Sequence, residues 1–247
     1  MSVAALKTPL PSLTASGFQT IYQNNIPATA WPFEATAALQ GILPNGEVFQ
    51  WSMLDAESIP AILVLQDHVA SAATGIEKTF LIKRSAEDYG YSLTQNHHYW
   101  GAWIGEELVA LFGLADNDEE VGDGRGEKTP KEILGVADYT HVSILKGAQV
   151  HPNYREQGLA AIGALSRYLF FIQNPQKRVM MTKIHAGNTP VAQNYLNNSF
   201  IEAWRTSVTD RGETFDVMTF TAERQVLDRW LHDKAANVIA KYKLQTI

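Results

Sequence analysis

The sequence predicts an α/β protein of mixed α+β type, with one central mixed sheet flanked by helices. Three observations carry that prediction. Strand-like and helix-like runs alternate from Tyr139 to Thr221, paired β-favouring runs separated by turn residues precede them, and an apolar stripe at helical spacing follows. The size agrees: 247 residues, 45% hydrophobic and 19% charged, describe a folded chain and exclude a disordered one.

The elements follow in order. Residues 1–30 are polar and Pro-dotted and read as an irregular arm. Glu34 to Leu54 reads as a hairpin around Pro44-Asn45-Gly46, since Asn-Gly is the strongest short hairpin signal. Asp55 opens a helix carrying Ile59, Ile62, Leu63 and Leu65, and a second helix covers Ser85 to Leu93. Tyr99 to Ile104 and Leu108 to Leu114 are strands joined by Gly105-Glu106-Glu107. Asp116 to Pro130 is acidic and Gly-rich; Val121 stands where a calcium loop requires Gly, so a solvated loop is expected. Next come a strand over Tyr139 to Val150, a helix over Gln157 to Gln173 and a strand over Val179 to His185. A helix over Asn188 to Asn198 then precedes strands over Phe200 to Val208 and Thr214 to Thr221.

The last helix carries Val226, Leu227, Trp230, Leu231, Val238, Ile239 and Tyr242 as one stripe. Core packing is its expected use and a homodimer contact the lesser one. The division expected is an arm and hairpin over 1–47, a main domain over 48–221, and a helix over 222–247 packed upon it.

Charge and composition narrow the function. Twenty Lys and Arg against 26 Asp and Glu leave a net charge of −6, which argues against nucleic acid held by phosphate neutralisation. The same balance leans mildly towards a cationic amine as substrate, and solubility explains it equally well. Without cysteine there is no disulfide, no thiolate metal site and no Cys nucleophile. No run approaches the roughly 20 apolar residues of a membrane span, and the N-terminus lacks a signal-peptide core. A soluble cytoplasmic protein without a membrane partner is expected.

Two constellations carry chemistry. Arg155-Glu156-Gln157-Gly158-Leu159-Ala160 lies where a strand turns into a helix, so unpaired first-turn N–H groups and the positive end of the helix dipole make an anion site. Arg155 adds a permanent charge, and a pyrophosphate fits. The plain alternative is that Gly158, Ala160, Ala161 and Gly163 only let the helix lie close on the sheet. In the second constellation Asn188 can cap a helix with Pro190 in its first turn, and Tyr195 follows two turns later on the same face. Taken alone, that tyrosine reads first as a structural phenol.

Together and in this order these features resemble the GNAT N-acetyltransferase superfamily over about residues 48–221. Val150, Pro152, Tyr154, Arg155, Gly158 and Ala160 match one family run, and Asn188, Ala192, Tyr195 and Phe200 match another. The resemblance implies a mostly antiparallel sheet with a splayed strand pair forming a CoA cleft, and acetyl-CoA as donor substrate. It implies that Ala148, Gln149 and Val150 hold the pantetheine arm, that the amides of Arg155, Glu156, Gln157, Gly158, Leu159 and Ala160 hold the pyrophosphate, and that Asn188 touches the pantetheine. Tyr195 matches the tyrosine that protonates the departing thiolate.

The departures concern the base. Ile144 and Lys183 stand where family members often carry carboxylates, and Ser199 stands where a Gly is usual. An alkylamine must lose a proton to attack, at about 4 kcal/mol at pH 7. His141 or Asp138 is the expected receiver, through water. His97 and His98 point to opposite faces of one strand and cannot chelate together, and no metal is expected. The acceptor site is expected from the segment around Ala70 to Tyr91 and the turn at Asp210 to Glu213. The reading is an N-acetyltransferase acting on a small-molecule or peptide amine; the alternative is a catalytically silent CoA-binding sensor or interaction protein of the same fold.

Overall fold

The computed structural model describes residues 33–75, 77, 83–116, 140–210 and 213–247. The arm over 1–30, Asp138 and the whole acidic run after Asp116 lie outside them, as does part of the segment and turn expected to build the acceptor site.

One nine-stranded sheet organises the described residues. Its strands are β1 (Leu39–Ile42), β2 (Val48–Leu54), β3 (His97–Ile104), β4 (Glu107–Asp116), β5 (Val142–Val150), β6 (Val179–His185), β7 (Ile201–Asp210), β8 (Glu213–Glu223) and β9 (Gln245–Thr246). The order across the sheet is β7-β8-β6-β5-β4-β3-β2-β1-β9. Every pair is antiparallel except β5 and β6, which are joined by a helical crossover as a parallel pair requires. Among the described residues five helices flank the sheet: α1 (Ile59–Ala72), α2 (Ala86–Thr94), α3 (Leu159–Gln173), α4 (Thr189–Asn197) and α5 (Arg224–Tyr242). None of them is long and apolar enough to cross a membrane.

The local signals act as their chemistry dictates. Gly46 takes a left-handed φ of 90° in the first hairpin, and Asn45 accepts from the Glu47 N–H at 3.1 Å. Asp55 first caps a single 3-10 turn over 56–58, and α1 starts only at Ile59, with Pro60 in its first turn. Ser85 caps α2 through a reciprocal box with Asp88, each side chain taking the other's backbone N–H.

The two faces of the sheet have separate cores. On one face Leu54, Tyr99 and Leu111 meet Ile62, Leu65 and Val69 of α1 and Tyr89 of α2. On the other, Trp100, Phe112 and Leu145 meet α3, which is itself covered by Leu227, Trp230 and Leu231 of α5. The stripe on α5 is therefore core packing, with Ala235 inside it. Gly163 lets α3 lie on the sheet, since a Cβ there would stand 2.5 Å from the Phe112 ring. The first hairpin belongs to the same sheet, and β9 pairs with its outer strand.

Candidate functional site

The parallel pair is short. β5 and β6 are in register at Val142–Val179, Ser143–Met180 and Ile144–Met181 and nowhere beyond, so the strands part towards Val150 and His185. A bulge lies on the freed length of β5. Leu111 pairs with Gln149 and Gly113 with Lys146, which leaves Gly147 and Ala148 together opposite Phe112. Gly147 takes a φ of 49° to allow it. Ala148, Gln149 and Val150 thus line the strand edge that β6 has left, an edge an extended ligand can pair with.

The loop expected to hold an anion closes that edge at one end. The His151 N–H bonds to Val109 O at 2.8 Å, a 3-10 turn over Pro152–Tyr154 follows, and the chain enters α3 through left-handed residues at Glu156 (64°) and Gly158 (83°). Among the described residues, the amides of Glu156, Gly158, Leu159 and Ala160 have no backbone acceptor, and Arg155 beside them is exposed. Gly158 serves a purpose not expected from a phosphate cradle alone. A Cβ on it would stand 1.6 Å from the Tyr242 hydroxyl, so the end of α5 packs directly beneath the loop.

On the other lip, α4 starts at the end of β6. Asn188 is its N-cap by position, but its side chain makes no capping bond, contrary to expectation, and only its backbone C=O serves the helix, accepting from Ala192. The first turn already holds Pro190, which has no N–H to satisfy. At the far end of α4, Phe200 N–H bonds to Tyr195 O at 3.0 Å and Ser199 N–H to Leu196 O at 3.1 Å. These two bonds form a Schellman cap, and the ring contact that accompanies it is Tyr195 on Phe200 at 5.0 Å. The five-residue step from Tyr195 to Phe200 is thus the geometry of a helix end. Tyr195 is buried, faces Phe220 at 6.3 Å and neighbours Tyr168.

His141 does not join this group. It stands just before β5, roughly 20 Å of strand away from the bulge, with its Nδ1 2.7 Å from Gln176 O. A polar cavity of about 310 Å³ opens at that remote end, against Asn96, His98, Asp116, Thr140, Gln176 and Lys177. Its buried charges satisfy each other: Lys177 lies 3.4 Å from Asp116 and donates to Val142 O, and Asp116 accepts from Ser143. That cavity is not the cleft.

The face under α1 and α2 holds groups that the motifs do not mark. Burial and the Arg84 guanidinium lower Lys146 to about 8. His97 is lowered to about 4 by burial first and then by Lys146, Arg84 and His98. Burial raises Tyr89 to about 12, and Gln149 hydrogen-bonds its hydroxyl. Ile144 lies on this face among Ala115, Val142, Val179 and Met181. Lys146 could have been found from its strand parity with Ile144; Arg84 carries no sequence signal.

His68, Glu107 and His151 bring their ligand atoms within 4.8 Å of one another. The Nδ1 of His151 accepts from Asn153 N–H at 3.2 Å, so the ring proton belongs on Nε2, 3.6 Å from Glu107. A ligating ring needs the reverse, its other nitrogen donating. The cluster suits a hydrogen bond better than an ion. His97 and His98 do face opposite ways, His98 lying on Phe170 of α3 at 4.4 Å.

No family model matches the sequence, and no curated protein matches it. Solved structures do match in fold. Arabidopsis thaliana NAA60 in complex with acetyl-CoA is similar at 15% identity and a TM-score of 0.53, over 72% of this chain and 99% of that one. The ribosomal-protein-S18-alanine N-acetyltransferase of Escherichia coli is similar at 12% and 0.52, over 71% and 93%. An acetyltransferase of the GNAT family from Streptococcus pneumoniae is similar at 10% and 0.51, over 71% and 98%. The fold is that of the GNAT acetyltransferases, as the motifs implied.

Proposed function

From a chain of GNAT fold, we propose an acetyl-CoA-dependent N-acetyltransferase that acts on the amine of a small molecule or peptide. One observation carries this reading: the parallel pair parts after three residues, leaving a bulged strand edge that runs into a loop of free amides. Ala148, Gln149 and Val150 hold the pantetheine arm as an added strand would, and the amides of Glu156, Gly158, Leu159 and Ala160 hold the pyrophosphate, those of Arg155 and Gln157 being engaged by Pro152 O and Tyr154 O. The side chain of Asn188, unused as a cap, is left to contact the arm.

Transfer is by direct attack. The neutral amine adds to the thioester carbonyl, the new C–N bond replaces the C–S bond, and the thiolate takes a proton from Tyr195. The proton shed by the amine leaves through water, because Ile144 and Lys183 offer no carboxylate and His141 lies too far away. Similarity to acetyltransferases of known fold, one of them an acetyl-CoA complex, supports the choice of donor.

The test is release of CoA thiol with an amine panel, the acetylated product being identified by mass. Tyr195→Phe keeps both ring contacts and should lower turnover by about tenfold or more, a general-acid contribution, with acetyl-CoA affinity unchanged. Unchanged turnover removes Tyr195 from the reaction. The missing carboxylates favour one second reading, a silent CoA-binding protein, which predicts acetyl-CoA binding with no product from any amine.

A further inference from the structure

The chain leaves the bulged strand and enters the loop assigned to the donor through His151, a residue only 7% exposed. Its backbone extends the sheet, the N–H bonding to Val109 O at 2.8 Å, and its C=O accepts from the Tyr154 N–H at 2.9 Å. Its ring does the capping. Nδ1 accepts from the Asn153 N–H at 3.2 Å, at the head of the 3-10 turn over Pro152–Tyr154. The bonds that follow are long, Arg155 N–H to Pro152 O and Gln157 N–H to Tyr154 O both lying at 3.4 Å. The imidazole is thus a principal tie on the turn that leads into the positive-φ residues Glu156 and Gly158, and with them into the free amides of the loop.

That tie holds in one protonation state alone. The Asn153 N–H needs a lone pair on Nδ1, which the neutral ring with its proton on Nε2 supplies; a second proton would set N–H against N–H. The surroundings pull both ways. Glu107 of β4 lies 3.6 Å from Nε2 and favours the charged ring. Burial and the Asn153 N–H favour the neutral one. His68 of α1 lies against the ring at 4.7 Å and, when charged, opposes a second cation beside it. Tyr154 of the turn itself stands at 5.7 Å, its hydroxyl bonded to Glu47 of the first hairpin. These are the titratable groups that the described residues place about the ring.

We propose that His151 is a positioning residue for the donor and that its protonation is a release. The neutral ring holds the turn that presents the loop amides to the pyrophosphate; the charged ring, drawn to Glu107, lets the turn go. Acetyl-CoA affinity therefore falls as pH drops through the range in which the ring takes up its proton, and by linkage the bound donor makes that proton harder to add. The ligand in this proposal rests on the acetyltransferase reading, while the coupling of ring to turn stands without it.

The test is calorimetric titration of acetyl-CoA between pH 5.5 and 7.5 into wild type, His151→Asn and Glu107→Gln, each shown to be folded across the range by circular dichroism. An asparagine amide can cap the same N–H and does not titrate, so this variant also reports the decline that the ligand's own phosphates cause. Wild type is expected to lose about fivefold more affinity over the range than His151→Asn does, the worth of one cap, while the two agree within about twofold at pH 7.5. Glu107→Gln should carry the loss to lower pH. Parallel profiles for wild type and His151→Asn, as a merely structural histidine would give, overturn the proposal, and so does a loss that Glu107→Gln leaves where it was. If acetyl-CoA binds none of the three, the acetyltransferase reading falls, and nuclear magnetic resonance of the unliganded wild type decides the release. An Asn153 amide signal that moves in step with protonation of the His151 ring keeps it, and one that ignores the ring removes it.

Discussion

Ser199 shows how far one residue can be understood from sequence and structure together. It stands where the family pattern has Gly, and it occupies a left-handed φ of 69° at the end of α4, exposed to solvent. A Cβ in that region costs about 1 kcal/mol. Ser199→Gly should therefore stabilise the fold by about that much and raise Tm by roughly 2–4 °C; a fall in Tm contradicts the cap. His97 is the opposite case, invisible as special until its surroundings are known. The folded ring holds its proton only below about pH 4, against an ordinary 6.5, with Lys146, Arg84 and His98 around it. Between those values the unfolded chain binds more protons, so stability falls as pH drops through that window, by roughly 3 kcal/mol. Denaturant titrations at pH 4.5 and 7 should show the loss, and His97→Gln should flatten it. Of the candidate residues, those in motifs were legible because helix ends and strand-to-helix turns impose fixed spacings. Arg84 was not, because a loop side chain held by Gln66 across eighteen positions leaves no periodic trace.

At the scale of elements, β5 organises most of the site. Its apolar run made it a strand on sight, and its place before the Arg155 loop was plain from the motif. Its early parting from β6 was expected only through the family resemblance, and its bulge was not expected at all. Bulges and register depend on which strand lies alongside, and here the partners of β5 are β4, reached through a long insertion, and β6, reached through a helix. α1 shows a smaller gap of the same kind. Asp55 was legible as a cap, but the 3-10 turn it caps before Pro60 was not, since both structures begin with the same residue types. Gly158 was marked for phosphate approach, whereas its contact with Tyr242 comes from an element more than eighty residues away. Substituting Gly158 is for that reason a poor probe of ligand binding, and exposed Arg155 a better one.

Across the whole molecule, the order of elements and the two helical faces were readable, and the closure of the sheet was not. β9 pairs with β1, Leu244 packs against Gly41 and Phe49, and Tyr242 lies beneath the loop before α3, contacts that no local pattern announces. Ending the chain at Ala240 should lower Tm by several degrees, since it uncovers the buried Tyr242 and Leu244 positions and frees the edge of β1. It should also weaken acetyl-CoA binding through the loop; unaltered binding separates the tail from the cleft. The fold likeness covers about seven-tenths of the chain, and the cleft lies within the run that carries the motifs. The sharpest test of that cleft is calorimetric titration of acetyl-CoA into the wild-type protein and into Arg155→Glu. One site per chain is expected, weakened about tenfold or more by the charge reversal, while the unliganded variant melts within a degree or two of wild type. Absence of binding by the folded wild type, or equal affinity in the variant, would contradict the assignment.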